Sequence, residues 1–458
     1  MMSQQNNNTF YILSLGCPKN EVDAECMSYA LSNADYNFVD DPFKANYLIV
    51  NTCGFIQSAK EEAISAILDL AEIKQKNLEH NLVSHLIVTG CLSQRYAKQI
   101  YSEFPEVDLV LGTAQYDQIV ESVYKLKENQ NLRKSLPEKP GSLDHLFHGE
   151  QAATDRSYAY LKIAEGCSNH CAFCAIPGIR GPLLSRKLED VVAEAKILTE
   201  RGFKEVILIA QDTTRYGLDI YGKPYLIELL KELIGIPNIG LIRLMYVYGD
   251  VFSDELIDFM AEHEQIAAYI DLPIQHASDK ILKSMGRRDT NQQLRQLIAK
   301  LRSKIHNLIL RTTVLVGFPG ETDQDFIELK NFIEDIKFDR LGCFVFSPEE
   351  GTRAYKMSDL PPAEIAESRY HEIMTLQRKI SLEKNKARIG QIYQVLLEDI
   401  SEDGIFFVGR SYGEAPNIDP SIFVLAQQAD LKIGDVAAVK IIDADDYELI
   451  GVSTDEHT

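Results

Sequence analysis

The sequence lacks any apolar run long enough to cross a membrane, because such a helix needs about 20 consecutive apolar residues. Its first residues, MMSQQNNNTF, include neither a basic nor an apolar segment, so we expect no signal peptide and a cytoplasmic protein. Basic residues are also scarce: 47 Lys and Arg stand against 68 Asp and Glu, a net charge of −21. An acidic chain repels phosphate backbones at long range, which weighs against a nucleic acid as the main substrate.

The eight cysteines of this chain indicate metal ligands or core thiols, since disulfides belong to secreted proteins. Three of them stand in YAYLKIAEGCSNHCAFCAIP, residues 158–177, separated by three and then two residues: Cys167, Cys171 and Cys174. Cysteine thiolates are the usual ligands of iron–sulfur clusters. A zinc site or unrelated thiols are the alternatives, but structural zinc normally takes four protein ligands. We therefore predict that this loop triplet holds a 4Fe–4S cluster with one open iron.

A second triplet, the N-terminal triplet, consists of Cys17, Cys53 and Cys91. Each follows an apolar strand, in TFYILSLGC, YLIVNTCG and HLIVTGC, with helical stretches between them. This alternation predicts a parallel sheet, whose strands all end at one edge, so the three thiols should converge. Three buried thiols at loop starts are the alternative. We predict a second 4Fe–4S cluster here, whereas Cys26 and Cys343 are expected to be core residues.

The predicted fold is α/β with three domains. Residues 1–135 form the parallel-sheet domain, residues 153–389 a partial (β/α)6 barrel, and residues 390–458 a small antiparallel β-barrel. A connector is predicted at 128–152, and Ser58 with Glu61 predicts a capping box at the start of the helix after Cys53. The barrel strands are read as YAYLKIA, EVILIAQDT, LIRLMYVY, AAYIDLPIQ, LILRTTVLVGF and RLGCFVFS.

Polar residues at the ends of the barrel strands are expected to face one site, because βα barrels carry their chemistry there. They are Gln211, Asp212, Arg243, Gln275 and His276. His276 alone is more often a hydrogen-bonded structural histidine than a base. Gly317, in VGFPGET, can let the backbone pass an adenine ring or can mark a plain turn. Arg180 and Arg186 either clamp a carboxylate or are solvated loop charges.

The CxxxCxxC spacing, with Phe173 before its last cysteine, resembles the radical S-adenosylmethionine (SAM) enzymes. That resemblance implies that SAM binds the open iron of the loop cluster through its amino and carboxylate groups. It makes Gln211, Arg243 and Gly317 candidate SAM contacts. An electron donor such as flavodoxin or ferredoxin is implied as well.

The two triplets followed by a terminal β-barrel resemble the methylthiotransferases over essentially the whole chain. The resemblance implies an auxiliary 4Fe–4S cluster on the N-terminal triplet, a radical SAM domain and a TRAM domain. It also implies a mechanism, in which a 5′-deoxyadenosyl radical removes a hydrogen from carbon. The auxiliary cluster supplies sulfur, and a second SAM methylates it.

Two branches of the methylthiotransferases have different substrates. The RimO-type branch modifies the β-carbon of an aspartate in ribosomal protein uS12 of the small subunit. The MiaB-type branch makes 2-methylthio-adenosine in tRNA. SLGCPKNEVDAE, IPGIRGPLLSR, LIAQDTTRYG and GRSYGEAPNID look like the RimO-type branch. A radical SAM enzyme with an electron-transfer auxiliary cluster is a further alternative.

Charge in the last domain favours a protein substrate. From residue 390 onwards, fourteen Asp and Glu stand against three Lys and Arg, which gives 3 − 14 = −11. Phosphate contacts normally need Lys and Arg, whereas an acidic surface suits a basic ribosomal protein. Glu414 and Asp419 of GRSYGEAPNID are expected to take part in that docking.

Overall fold

The computed structural model describes residues 8–128, 137, 143, 156–426 and 430–454. The predicted connector at 128–152 lies outside the described residues, apart from Glu128, Pro137 and Leu143. The chain forms two compact units. The first spans Met1–Ala153, Lys162–Glu194 and Ser347–Tyr355, and the second spans Thr154–Leu161, Ala195–Phe346 and Lys356–Thr458. Both cysteine triplets belong to the first unit.

A five-stranded sheet forms the centre of the first unit, in the order β2-β1-β3-β4-β5. All of its neighbouring strands run parallel, as predicted. Its strands are β1 (Thr9–Ser14), β2 (Asn37–Phe38), β3 (Tyr47–Thr52), β4 (His85–Gly90) and β5 (Val107–Val110). The helices between and after them are α1 (Pro18–Asn33), α2 (Gln57–Glu79), α3 (Cys91–Glu103) and α4 (Ile119–Lys127).

Helix α2 covers this sheet with a small-residue face. Every residue of β3 is buried, and Ile67 and Ala71 of α2 pack in the same core. The predicted capping box at Ser58 and Glu61 is wrong, because α2 begins two residues earlier than it implies, with Ile56 as the N-cap, and no side chain caps the helix. The apolar residues of β3 and α2 determine how this helix packs on the sheet, and the helix begins without a side-chain cap.

The cysteine loop of the first unit follows strand β6 (Tyr158–Lys162). Two short strands, β7 (Ala164–Glu165) and β8 (Leu184–Ser185), pair antiparallel and close the loop at its base. Between them lies one short helix, α5 (Ile176–Ile179). The loop is therefore held at both ends, which fixes the segment that carries the loop triplet.

Six strands of the second unit make the predicted partial barrel. They form two three-stranded sheets, β10-β9-β6 and β11-β12-β13. Backbone bonds join the sheets: Ala267 N–H donates to Ile242 O at 2.8 Å, and Val247 N–H donates to Asp271 O at 2.9 Å. The new strands are β9 (Glu205–Ile209), β10 (Leu241–Leu244), β11 (Tyr269–Asp271), β12 (Ile309–Val316) and β13 (Arg340–Val345). The helices are α6 (Leu188–Glu200), α7 (Leu218–Tyr221), α8 (Leu226–Ile234), α9 (Asp254–Glu262), α10 (Asp279–Met285), α11 (Asn291–Lys304), α12 (Asp323–Ile336) and α13 (Ala363–Lys386).

A closed barrel ends the second unit, with strand order β14-β15-β16-β18-β17. Its strands are β14 (Ile392–Ile400), β15 (Phe407–Arg410), β16 (Ile422–Leu425), β17 (Val436–Ala444) and β18 (Leu449–Ser453). The prediction of an antiparallel barrel holds for every neighbouring pair except β16 and β18, which run parallel. The buried core of this barrel comes from β14, β16, β17 and β18, and Phe407 of β15 packs against it as a partly buried side chain.

The expectation that Glu414 and Asp419 form a docking surface is wrong, because both side chains are buried. Glu414 is ion-paired with Arg388 and, at 3.3 Å, with Arg340. Although burial alone would raise the pKa of Glu414, these two guanidinium groups lower it to about 2. Asp419 accepts a hydrogen bond of 2.6 Å from the Tyr269 hydroxyl. The GRSYGEAPNID segment therefore anchors the terminal barrel and does not present its carboxylates to a partner.

In the part of the chain that the structure describes, no helix is both long enough and apolar enough to pass through a membrane.

Candidate functional site

The three cysteines of the N-terminal triplet lie where the sequence predicts them. Cys17 precedes α1, Cys53 directly follows β3, and Cys91 directly follows β4 as the first residue of α3. Strands β1, β3 and β4 are adjacent and parallel, so their carboxyl ends share one edge of the sheet. None of the eight cysteines, all of which lie among the described residues, forms a disulfide. The role of the N-terminal triplet in binding a cluster stays a prediction.

Close backbone packing brings these thiols together. Gly16 has φ +96°, and a Cβ placed on it would lie 2.7 Å from the Cβ and 3.1 Å from the Sγ of Cys53. Only glycine therefore lets the Cys17 loop approach Cys53 so closely. Burial raises the pKa of the Cys91 thiol to about 12; Arg180 opposes this shift, while Cys17 and Cys53 add to it. A buried thiol of this kind becomes a thiolate when a metal supplies the compensating charge.

Asn20 of α1 connects the three loops of the N-terminal triplet. Its fully buried carboxamide donates to Leu15 O at 2.9 Å and to Thr52 O at 3.0 Å, so it holds the loops of Cys17 and Cys53. Its Oδ1 lies 3.8 Å from the Cys91 sulfur. Sequence reasoning missed this residue. The sequence feature that could have identified Asn20 is its place as a polar residue in the first turn of a helix that directly follows the candidate ligand Cys17.

The loop triplet is held by backbone bonds of its own segment. Cys167 N–H donates to Gly181 O at 3.1 Å, and Cys174 N–H donates to Cys171 O at 3.2 Å. Burial raises the pKa of Cys174, and the neighbouring Cys171 and Cys167 raise it further. The three thiols are thus neighbours on one tight loop, as the spacing predicts.

The two triplets meet inside the first unit. Cys91 of the N-terminal triplet packs against Ala175 and Ile179, which follow Cys174 in the loop. A cavity of about 500 Å³ opens beside this contact. Residues of three segments line it: Cys171 and Cys174, Gln94–Tyr96 after Cys91, and Glu350–Arg353. A molecule in this cavity would touch the loop triplet and the helix that begins at Cys91.

Glu349, which sequence reasoning also missed, orders the wall of the cavity. It is buried and ion-paired with Arg95 at 2.9 Å and with Lys60 at 3.0 Å. Arg95 also donates to Gly54 O at 2.7 Å, directly beside Cys53. The ion pairs of Glu349 with Lys60 and Arg95 could not be predicted from a local sequence pattern, because the three residues are distant in the chain. Their effect is to fix the Arg95 guanidinium at the cavity edge.

Of the two alternatives for Arg180 and Arg186, the carboxylate clamp is confirmed and the solvated loop charge is wrong. Both side chains are buried, and the carboxylates that they pair with belong to the chain itself. Arg180 is paired with Glu165 at 2.8 Å and with Asp23 at 3.0 Å. Arg186 is paired with Glu194 at 2.7 Å. An arginine in an apolar loop cannot be buried without such partners, because its charge would be left uncompensated.

The donors of the first unit fit the predicted clusters. Each triplet offers three thiols, the soft ligands that iron–sulfur clusters take. Among the residues that the structure describes, no three His, Cys, Asp or Glu side chains are arranged around a single metal ion. A 4Fe–4S cluster has a different requirement, because each cysteine binds its own iron.

The candidate SAM contacts all lie in the second unit. Gln211, partly buried, follows β9, and Asp212 beside it is ion-paired with Arg215 at 3.0 Å. Gly317 follows β12 with φ +75°, and a Cβ there would lie 2.7 Å from the Cβ of Ala366. Packing against α13 is therefore sufficient reason for this glycine. Contact of Gln211 or Gly317 with SAM stays a prediction.

Arg243 is not retained as a SAM contact. It lies inside β10 rather than at its end, and its Nε donates to Glu205 at 2.5 Å. Its Nη1 donates to Tyr412 O at 2.8 Å. Glu205 is the first residue of β9, so the guanidinium reaches towards the amino ends of the strands. Barrel chemistry takes place at the opposite ends.

The remaining predictions concern core residues. Cys26 and Cys343 are both buried, as expected. His276 is fully buried, and its Nδ1 accepts a hydrogen bond of 2.9 Å from Ser278 N–H. Burial lowers the pKa of His276 to about 3. The preferred interpretation, a hydrogen-bonded structural histidine, is therefore confirmed.

Three families match successive parts of the chain. Residues 9–112 match "Uncharacterized protein family UPF0004", residues 161–333 match the "Radical SAM superfamily", and residues 389–453 match the "TRAM domain". These segments follow the order of the three predicted domains, whose boundaries at 135, 153 and 390 stay predictions.

Curated relatives are similar over nearly the whole chain. Two named "Ribosomal protein uS12 methylthiotransferase RimO" come from Acetivibrio thermocellus and Desulforamulus reducens. The first is 48% identical and covers 96% of this chain and 97% of the relative. The second is 47% identical and covers 96% and 98%. Among solved structures, the radical SAM methyltransferase TsrM from Kitasatospora setae matches with a TM-score of 0.54 at 13% identity, over 76% of this chain and 74% of that one. This last match shows the fold alone.

Proposed function

Because this chain belongs to the RimO family of radical SAM methylthiotransferases, we propose that it adds a methylthio group to ribosomal protein uS12. The target is the β-carbon of an aspartate. The loop triplet holds one 4Fe–4S cluster with SAM, and the N-terminal triplet holds an auxiliary 4Fe–4S cluster. Two SAM molecules are used for each product, and an electron donor such as flavodoxin or ferredoxin delivers the electrons in the cytoplasm.

The observation that carries this proposal is the packing of Cys91 against Ala175 and Ile179. A methylthio transfer needs a carbon radical and a sulfur donor at the same substrate atom. Two triplets that share one compact unit and one packing contact support such a shared reaction site. An auxiliary cluster that only transferred electrons would not need to lie beside the cavity that receives the substrate.

The residues of the first unit have three tasks in this proposal. The six thiolates hold the clusters, which together with SAM supply the radical, the sulfur and the methyl group. The 500 Å³ cavity beside Cys171 and Cys174 admits the substrate side chain and limits the access of water. Arg95, fixed by Glu349, offers a cation at the cavity edge for a carboxylate such as that of aspartate.

Product mass tests this proposal directly. Ribosomal proteins and tRNA are compared from cells with and without the gene for this chain. A methylthio group on a uS12 peptide that disappears with the gene supports the proposal. Loss of 2-methylthio-adenosine from tRNA, with the uS12 mass unchanged, would instead assign the chain to the tRNA reaction.

A revised docking surface replaces the one expected at Glu414 and Asp419. Eight acidic side chains of the described terminal barrel are exposed, against two basic ones, Lys432 and Lys440. The acidic residues are Asp399, Glu402, Asp403, Asp430, Asp435, Asp443, Asp445 and Glu448. We propose that this acidic surface attracts the basic uS12 protein, because opposite potentials steer association.

Reversing two of these charges, Glu402→Lys with Glu448→Lys, is expected to weaken uS12 binding by roughly fivefold at low salt, since each exposed charge pair contributes up to about 1 kcal/mol. Binding near 0.5 M salt should change by less than about twofold, because the Debye length is then only a few ångströms. Titration of labelled uS12 at both salt concentrations measures this. The matched control, Glu334→Lys with Glu367→Lys, makes the same charge change on the exposed faces of α12 and α13. An equal loss of affinity in the control contradicts a docking role for the terminal barrel.

A further inference from the structure

Four buried charges lie directly behind the N-terminal triplet. Arg180, Lys162, Asp23 and Glu165 are each no more than 2% exposed. Lys162 is ion-paired with Asp23 at 2.6 Å and with Glu165 at 2.5 Å. Arg180 is paired with the same two carboxylates. Two cations and two carboxylates balance, so this four-charge cluster is neutral before any ligand is considered.

Arg180 makes one contact that charge balance does not require. Its Nη1 donates to Glu165, and its Nη2 donates to Asp23 and Asn20. The remaining donor, Nε, points at the sulfur of Cys91 at 3.4 Å. The guanidinium is planar and held at its two other nitrogens, so the direction of the Nε–H bond is fixed.

The contact between Arg180 and the Cys91 sulfur links the segments of the two triplets. Arg180 directly follows α5 and stands six residues after Cys174, on the segment that carries the loop triplet. It donates nevertheless to a cysteine of the other triplet. Hydrogen bonds to the ligand sulfurs and nearby positive charge stabilise the reduced form of an iron–sulfur cluster and raise its reduction potential.

We infer that Arg180 is a positioning residue that raises the reduction potential of the auxiliary cluster through its hydrogen bond to the Cys91 sulfur. The inference rests on the proposed function for the presence of that cluster. Its alternative is that Arg180 only completes a buried ion network. In that case removal of a neutral pair of charges would leave the potential of the cluster where it was.

The test uses the full-length chain with the loop triplet replaced by alanine, so that one cluster remains. Arg180→Met with Glu165→Gln removes one cation and one carboxylate and keeps the four-charge cluster neutral, because a lone buried charge would destabilise the fold. A redox titration with dithionite, followed by electron paramagnetic resonance, measures the one-electron couple. We expect the ratio of reduced to oxidised cluster at a fixed potential to fall at least tenfold, which corresponds to about 59 mV.

Lys162→Met with Asp23→Asn is the matched control. It makes the same neutral exchange in the same cluster, and Lys162 does not donate to a ligand sulfur in the described contacts. We expect its ratio to change less than threefold. Equal shifts in the two double variants would overturn the inference, as would an unchanged potential in the Arg180 variant.

Arg180→Lys keeps the charge but lacks the Nε–H donor, and its potential is expected to fall as well. If the double variant loses its iron, the reduction potential is measured on Arg180→Lys instead. A wild-type potential in Arg180→Lys, or loss of iron from both Arg180 variants, overturns the inference, because Arg180 would then hold the cluster without tuning it. If the parent chain with the intact N-terminal triplet binds no iron, the proposed function fails instead.

Discussion

Replacing Cys17, Cys53 and Cys91 together by alanine is expected to abolish methylthio transfer and to leave SAM cleavage intact. The three thiols belong to one sheet edge, and the proposal assigns them the sulfur donor only. Iron should fall from about eight to about four per chain, the content of one remaining cluster. The measurements are iron after anaerobic reconstitution, 5′-deoxyadenosine on reduction, and the mass of the uS12 peptide.

The reciprocal variant tests the same division of labour. Alanine at all three positions of the loop triplet should also halve the iron, but SAM cleavage should then disappear. Cys26→Ala and Cys343→Ala are the controls, because both thiols are buried core residues outside the two triplets, and they should keep the full iron content. A folded N-terminal variant that retains its loop cluster and yet cannot cleave SAM contradicts the assignment of separate tasks.

The convergence of the N-terminal triplet could be predicted because it follows from topology. Parallel strands end at one edge, so three cysteines at three strand ends must lie near one another, whatever the details of packing. The loop triplet could be predicted for a simpler reason. Its first and last members, Cys167 and Cys174, are only seven positions apart in the chain. Neither prediction required a long-range side-chain contact.

Buried charges account for most of what sequence reasoning missed. Glu414 and Asp419 are expected at the surface because isolated charges are normally exposed, and for Arg180 the sequence indicates no particular carboxylate partner. Their partners lie far away in sequence: 157 residues separate Arg180 from Asp23, and 74 separate Glu414 from Arg340. One signal was present, since Lys162 stands inside the apolar strand YAYLKIA and needs a buried counter-charge. It indicates that a carboxylate is near, but not which one.

Arg243 shows a different limit. The sequence predicts its strand correctly but reads the strand end four residues late, at Tyr248 instead of Leu244. Arg243 precedes both ends, so the strand end does not decide its role. Its bond to Glu205, the first residue of β9, decides it, and that long-range partner cannot be read from a strand pattern.

A single substitution, Asn20→Asp, is expected to remove the auxiliary cluster. The Asn20 carboxamide donates to Leu15 O and Thr52 O, the carbonyls beside the Cys17 and Cys53 loops. Aspartate has nearly the same shape and would still accept from Arg180 through Oδ1, but the oxygen that replaces Nδ2 would face two carbonyl oxygens without a donor. We expect iron to fall from about eight to about four per chain, and methylthio transfer to be lost. The free energy of unfolding should fall by about 2–4 kcal/mol, since two buried acceptors lose their bonds. Iron analysis and chemical denaturation measure the two effects.

Asn46→Asp separates loss of the site from loss of stability. Asn46 is buried in the same unit, and its Nδ2 donates to Val83 O at 3.0 Å, but it directly precedes β3 at the amino end of the sheet. It should therefore lower the free energy of unfolding by about 1–2 kcal/mol, since one buried acceptor loses its bond, and keep all of its iron. Protonation does not rescue Asn20→Asp, because a neutral carboxyl has one O–H donor where the amide has two N–H donors. One of the two loops would still lose its bond. Full iron content in Asn20→Asp would mean that the strand ends alone hold the N-terminal triplet in place.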